Sequence, residues 1–446
     1  MKEVQTATDL YRAEFLQFER DVGGITPVWL QQLRHAAMAR FAATGFPTTH
    51  NEAWRHTSVA SLSESPFPLA RHRCTIPKTE LDPVMSWMGA GCRLVFVNGS
   101  FSPLHSSLLP LPHGMKAGSL TSALGGGSSL LESHLGRYAR CEDYAFVALN
   151  TSFLSEGAAV YIPPNTVLEE PLNVLFVSRP NGRATMSHPR TVIVAGPHSR
   201  ATIVESYLGL QEDLYLTNAV TEVVLAENAV LDHYVLQQES SAAFHFLTLA
   251  VHQDRHSTFT SHSLATGGAL ARSEINCELA GEGTTCILRG VGAVAGRQHL
   301  DTQTQIDHAK THGTSQQLYK GILTGHASGV FNGKILVRQD AQKTDARQTN
   351  NNLLLSEDAV IHTKPQLEIF ADDVKCAHGA TVGRLDEEAV FYLRSRGIGL
   401  ETARGLMTYA FGSETINLVT NEVIRDRLAE LLAQWISQTC GRSFSL

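Results

Sequence analysis

The sequence predicts a mainly β protein, a parallel β-helix core flanked by α-helical domains at the N- and C-terminal ends. Three observations predict it. From about Leu94, short runs such as RLVFVNG, AAVYIPPN, TVIVAG, ATIVESYLG and KILVRQDA follow one another, rich in Val, Ile and Thr and broken by Gly, Asn, Pro and His. Such runs read as strands separated by turns. After about residue 150 no helical pattern interrupts them until the C-terminal segment, whereas a doubly wound sheet needs helices between its strands. Weak self-similarity supplies the third observation. LSEGAAVYI from Leu154, LAENAVLDH from Leu225 and LSEDAVIHT from Leu355 share a Leu-x-Glu turn leading into a β-branched strand, and GPHSRATIVE from Gly196 is a looser copy. These intervals accommodate stacked coils of roughly 20–30 residues. A β-sandwich is the runner-up.

The elements follow in order. Residues 1–90 read as a helical domain. In TPVWLQQLRHAAMARFAATG, Thr26 is the expected N-cap, Pro27 the first helical residue and Gly45 the stop. Trp29, Leu33, Ala37 and Phe41 recur every four residues as an apolar face, with Gln31, Gln32, Arg34 and His35 opposite. Residues 91–384 form the expected β-helix core. Within it, Asn350, Asn351 and Asn352 of QTNNNLLL suit a turn-to-strand corner where amides stack between coils. Residues 385–446 turn helical again, with Asp386 as cap and Gly397 as stop of the first helix. The last helix carries Ile424, Leu428, Leu431, Leu432 and Trp435 on one face. Terminal helices are expected to cover the open ends of a solenoid, where a sheet edge would otherwise be exposed, or to dock another protein.

Composition bounds the function. The chain has 446 residues, 43% apolar and 18% charged, with a formal net charge of −7 and a pI near 6.3. These values describe a globular protein and give no basic patch for nucleic acid. No window approaches the apolar length of a membrane span. MKEVQTATDLYRAEF shows no secretory leader, so a cytoplasmic location is expected. The seven cysteines, at 74, 92, 141, 277, 286, 376 and 440, include no C-x-x-C pair, which argues against a disulfide framework and a self-contained zinc site.

Few motifs carry chemistry. GVFNGKI (Gly329–Ile335) is one residue short of a phosphate loop, and GVGAVAG (Gly290–Gly296) misses the dinucleotide fingerprint and precedes no helix. Both read as solenoid turns. Among the twenty histidines, His308 and His312 could gather with Asp301 and Asp307 around a cation, yet their spacing matches no metal motif. Adjacent Asp372 and Asp373 diverge on a strand and make no glycosidase pair. A free-standing carbohydrate-active β-helix remains the alternative enzyme reading. Cys376 and His378, in DDVKCAHGATVG, are different. On an extended strand they project from one face, about 6–7 Å apart, as a soft sulfur–nitrogen pair suited to iron, zinc or copper. Two ligands do not close a site, which wants about four. The pair is either half of a shared centre or a buried Cys and a hydrogen-bonded His at the last coil.

The motifs FPTTHNEAWRHTS, ALNTSFLSEGAAVYIP, GVFNGKILV and KTDARQTNNNLLLSEDAVIHTKPQLEIFADDVKCAHGATVGRLDEEAVFYLRSRGI resemble the SufB/SufD family of iron–sulfur cluster assembly scaffolds, over essentially the whole chain. Leu393, where SufB carries a cysteine, and VKCAHGAT in place of a VEHEAT-like segment put the resemblance on the SufD side. The resemblance implies a right-handed parallel β-helix and a non-enzymatic scaffold. It implies a complex with SufB, paired through the last coils, and with the ATPase SufC, docked on the C-terminal helical domain. It implies that SufC dimerisation on ATP rearranges the SufB–SufD interface and exposes the site where a nascent cluster forms. His378 matches the family histidine implicated there, Cys376 matches a nearby interface cysteine, and a SufB cysteine supplies the sulfur side. A reduced flavin is associated with such complexes, with no residue here to place it. The isolated chain is a candidate homodimer.

Overall fold

The computed structural model describes residues 7–22, 26–64, 67–71, 75–89, 91–108, 110–125, 129–180 and 182–439. Cys74, Cys440 and the first six residues of the stretch read for a leader lie outside them. From Gly157 to Gly383 the described residues form strand after strand with no helix between. From Arg200 consecutive strands alternate between two sheets and run parallel to their neighbours. Sheet 1 takes Arg200–Gly209, Val230–Gln238, Thr258–Ala265, Thr285–Val294, Thr314–Leu323, Asp345–Leu354 and Lys375–Gly383 in that order. Sheet 2 takes the alternate strands, from Leu216–Leu225 through Phe244–Gln253, Leu270–Leu279, His299–His308 and Ser328–Val337 to Val360–Ile369. Val230 lies beside Thr258, Thr258 beside Thr285, Thr285 beside Thr314, Thr314 beside Asp345 and Asp345 beside Lys375. Each coil of this parallel β-solenoid therefore spends about 30 residues, the upper end of the range the sequence suggested.

The strand period of two sends alternate side chains into the solenoid. Ile203, Leu231, Phe259 and Leu288 of sheet 1 meet Val223, Leu249, Ile275 and Ile306 of sheet 2 in one buried core. The corners are as regular as the strands. Asn165, His198, Asn228, His256, Gly283, His312 and Lys343 all take φ between 56° and 66°. From His198 onward each donates its backbone N–H to the next coil, for example His256 to Glu282 O at 2.8 Å and His312 to Gln342 O at 2.9 Å. This left-handed corner accepts Gly, Asn and His more readily than branched residues. His256 and His312 are thus turn residues.

Helices flank the solenoid sideways. Tyr11 and Phe15 of helix Ala7–Val22, Phe41 of Val28–Thr44 and Phe146 and Phe153 pack on Leu216, Phe246 and Leu270, the outer face of sheet 2. The N-terminal expectations need correction in two details. Thr26 is no cap: helix Val28–Thr44 begins after Pro27, and the Thr26 hydroxyl donates to Val22 O at 3.0 Å. The buried face is Leu30, Arg34, Ala37, Met38 and Phe41. Arg34 is inside because its guanidinium finds Leu154 O at 2.7 Å and Glu19 at 3.2 Å, which satisfies a charge that burial would otherwise penalise. Gly45 does end the helix, at φ 64°.

An ion pair ties this layer to the sheet. Arg190 and Glu222, both fully buried, meet at 2.6 Å. Glu222 also accepts the N–H groups of Gly136, Tyr138 and Ala139, and Arg190 donates to Asn150 Oδ1.

At the other end, Asp386 caps helix Glu387–Ser395 by accepting from Glu388 N and Ala389 N. Ile416, Leu428, Leu432 and Ile436, from helices Leu400–Ile416 and Glu422–Thr439, pack on Tyr234, Leu236, Leu264, Val291 and Ile322. Buried Lys320 donates to Phe411 O at 2.9 Å and pairs with Glu414. These helices cover the outer face of sheet 1, not the open end that was expected to need them. The apolar stripe running across the strands offers them more area to bury than the rim of one coil. Asn350 and Asn352 also sit differently, in mid-strand and buried rather than at a corner. Their amides do bridge coils, Asn350 Nδ2 to Tyr319 O at 3.2 Å and Asn352 Nδ2 to Thr381 O at 3.2 Å.

Two predictions follow from burial. Glu222→Ala leaves Arg190 charged and unpaired, and chemical denaturation should show a loss of about 3–5 kcal/mol. Burial holds His188 and His262 down to about 3 and His308 to about 4, with Arg289 adding to the shift of His262. The folded state keeps these rings neutral while the unfolded chain protonates near 6.5. Stability is therefore complete above that pH and falls as pH drops below it, by about 1.4 kcal/mol per pH unit for each histidine. Denaturation midpoints between pH 7 and 5 should decline more gently in His308→Gln.

Candidate functional site

In-register stacking places Cys376 and His378. One inward-facing column of sheet 1 runs Leu172, Ile203, His233, Ser261, Leu288, Gln317, Gln348 and His378, each the register partner of the next. The neighbouring column runs Phe259, Cys286, Ser315, Ala346 and Cys376. Both candidate ligands therefore point into the solenoid from its last strand, Lys375–Gly383. No further coil follows, so inward-facing side chains stand open. Cys376 is half-buried against the cluster of Ile335, Val337 and Ala346, and His378 is exposed. Across the mouth, Val360–Ile369 contributes Thr363, Pro365, Leu367 and Ile369, register partners of the inward residues Phe331, Gly333, Ile335 and Val337.

This end is also where both sheets stop. Val360–Ile369 and Lys375–Gly383 have a strand neighbour on one side only. Ile369, Phe370 and Val382 are 40%, 63% and 48% exposed there. Exposed edges and apolar side chains together are a template for another chain.

The chemistry at the mouth is incomplete. Burial pushes the Cys376 thiol up, a backbone hydrogen bond at Ala346 pulls against that, and the Asp345 carboxylate adds to it. The thiol thus stays protonated until a cation or a partner displaces the proton. Among the described residues no three His, Cys, Asp or Glu side chains gather as a metal centre. The proposed cation cluster is dispersed. Asp301 is buried on Arg272 and Thr57, Asp307 pairs with Arg338, His308 bonds Ser315 inside the coil, and His312 turns the corner. Buried His233 and His245 are held by Glu205 and Glu239.

Residue-by-residue reading of the sequence missed the polar atoms lining the mouth. Gln317 Nε2, Gln348 Oε1 and Thr363 Oγ1 are buried without a hydrogen-bond partner. Only the register of the coils puts Gln317 and Gln348 in one column below His378. A second miss is the FPTTHNEAWRHTS segment, which lies across sheet 2. Trp54 packs under the Arg272 guanidinium at 3.7 Å, Thr57 donates to Asp301 at 2.6 Å, and the His56 ring stacks on His362 of the last coil at 3.8 Å.

Fold and site together define a β-solenoid protein with an unfinished end and a half-formed sulfur–nitrogen ligand pair inside it. Family comparison narrows this class. The model for the SufBD core domain of the SUF system for FeS cluster assembly matches residues 176–411, and that for the SufBD N-terminal region matches residues 1–174. An iron–sulfur cluster assembly SufBD family protein of Synechocystis is 33% identical over 420 residues, 92% of each chain. The iron–sulfur cluster assembly protein SufD of Escherichia coli is 31% identical over 88% of this chain and 89% of its own. SufD of Bacillus subtilis is 26% identical over 91% and 94%. The chain belongs to the SufB/SufD family of iron–sulfur cluster assembly proteins and is SufD-like. That membership sets it with assembly proteins and leaves the carbohydrate-active alternative without support. Among the described residues no helix is long and apolar enough to cross a membrane.

The raised thiol makes a direct prediction. At neutral pH iodoacetamide should alkylate Cys376 more slowly than the same cysteine in a VKCAH peptide, and the deficit should shrink as pH rises. Site-resolved mass spectrometry measures both rates.

Proposed function

We propose that this chain is the SufD scaffold subunit of a cytoplasmic SufB–SufC–SufD complex, itself without catalytic activity, and that it helps assemble nascent iron–sulfur clusters at the seam with SufB. The observation that carries this reading is the open last coil, where free sheet edges and the Cys376–His378 pair coincide. A strand of SufB paired on either edge would extend the solenoid and bring the missing ligands over the mouth. The cluster is cargo here. His378 supplies an imidazole nitrogen to iron and is the preferred ligand. Cys376 ligates beside it or packs at the seam, and a SufB cysteine supplies sulfur. No cofactor is held tightly by this chain alone, and a reduced flavin belongs to the complex as a whole.

The division of labour follows the three segments. The helical segment of residues 1–90 braces sheet 2 through its first helices and sheet 1 through Leu81, Met85 and Met88, the core of 91–384 carries the seam, and residues 385–446 dock the SufC ATPase. Support for the last comes from helix Glu387–Ser395, which leaves Phe391 and Tyr392 71% and 58% exposed, with Leu400 nearby in sequence at 40%. Apolar side chains displayed at the surface in this way are typical of interface anchors. Without partners, the same free edges allow a homodimer.

Replacing His378 by Ala should leave the fold and the complex intact while abolishing cluster assembly in cells, read as activity of a Suf-dependent iron–sulfur enzyme. Normal maturation by that variant overturns the ligand assignment. Phe391→Asp with Tyr392→Asp should remove an ABC-type ATPase from pull-downs and retain the SufB-like protein. Recovery of neither partner with the wild-type chain overturns the scaffold reading itself.

A further inference from the structure

We propose that residues 52–57 are a strap that clasps the last coil, and that its contact of His56 on His362 loosens when both rings are protonated. The strap is the middle of FPTTHNEAWRHTS, a motif that neither the seam nor the ligand pair accounts for. It follows one column across sheet 2, in which Arg272, Asp301, Val330 and His362 are successive register partners. At the inner end the Arg272 guanidinium lies over the Trp54 ring at 3.7 Å and donates to Ala53 O at 2.9 Å. One strand further on, the Thr57 hydroxyl gives its single proton to Asp301 at 2.6 Å. The His299 Nε2 contact with that hydroxyl, at 2.9 Å, is then a ring N–H donated to Thr57. At the rim, Glu52 meets Lys364 at 2.6 Å and the His56 ring stacks on His362 at 3.8 Å, 11° from parallel.

The two contacts at the rim answer differently to pH. The hydrogen bond and charge of Lys364 hold the Glu52 carboxyl below its usual range, so that pair stays ionised in mild acid. Burial holds the His362 ring below its ordinary 6.5, and a charge on His56 lowers it further. The groups around the stack are Glu52, Arg55 and Lys364 at the surface, with His299, Arg272, Glu274 and Asp301 on the strands beneath. Arg272 is shared by Glu274 and Asp301, Glu52 is taken by Lys364, and Arg55 adds a positive charge. The three cations balance the three carboxylates, so a second ring proton meets no spare negative charge. Burial also keeps His299 below its usual range, and both its nitrogens are engaged, by Thr57 and by Ser328. The stack therefore contributes fully above about pH 6.5 and is lost as pH falls below it. Two unit charges about 4 Å apart in water shift an equilibrium about fivefold.

The place of the contact gives it leverage. Val360–Ile369 is hydrogen-bonded to Ser328–Val337 on one side and free on the other. A strand held along one edge opens more readily than an inner one, so a clasp on its face has more to add. Acidification thus loosens the rim first on the sheet that carries the strap.

The test is hydrogen exchange of the full chain at pH 7.5 and 5.5, read by mass spectrometry and divided by the intrinsic rate at each pH. His56→Phe keeps a ring on His362 and removes one of the two charges. The ratio of its protection to that of the wild type, in peptides covering Val360–Ile369, should rise about fivefold from pH 7.5 to 5.5. Loss of stability from the buried histidines is common to both chains and cancels in this ratio. His362→Phe should give the same rise and stands in if the first variant fails to fold. Lys364→Gln removes the other contact and should lower protection equally at both pH values. A ratio for a folded phenylalanine variant that is the same at the two pH values overturns the proposal. So does a pH-dependent ratio for Lys364→Gln, which would assign the titration to the Glu52 bridge. Neither readout depends on cluster assembly or on His378.

Discussion

Everything in this molecule depends on parallel coils stacking in register. Each strand finds its hydrogen bonds on the coil before and the coil after, so a residue's neighbours are fixed about 30 positions away in sequence. The interior is built from columns, and each column changes character along the solenoid. The column ending at His378 begins with Leu172 and Ile203 and turns polar at Gln317 and Gln348. A histidine near the end of the core thereby stands above polar groups that no local motif would connect to it.

The register also explains how the helical layers serve the core. Both flank it sideways, on outer faces where successive strands present apolar side chains in rows. The Arg190–Glu222 pair fastens one layer and Lys320 fastens the other, each by satisfying a buried charge with main-chain groups as well as an opposite charge. At the last coil the end is left bare, and Val360–Ile369 and Lys375–Gly383 each keep one free edge.

Much of the architecture was legible because its signals are local. Most strand runs, the Asp386 cap and the Gly45 stop depend on neighbouring residues and stand where the sequence puts them, whereas GVFNGKI and most of GVGAVAG, read as turns, lie inside strands Ser328–Val337 and Thr285–Val294. What was misread depended on distant partners. Arg34 looked like a solvent-facing charge, since its acceptors lie at Glu19 and Leu154. Thr26 has the chemistry of a cap, but the preceding helix claims its hydroxyl. Asn350 and Asn352 looked like corner residues because stacked amides suit corners, yet the same stacking works in mid-strand. The site shows the same divide. Cys376 and His378 could be placed on one face from the strand period alone, while Gln348 and Thr363 became visible only when coils were laid on one another.

The bare rim makes the protein resemble a growing filament stopped one subunit short. Every earlier coil is pinned from two sides, but the last is pinned from one, so its opening free energy is the lowest in the core. Nothing in the backbone distinguishes the coil that would come next from a strand lent by another molecule. The chain accordingly carries its own growth end at the free edges of Val360–Ile369 and Lys375–Gly383.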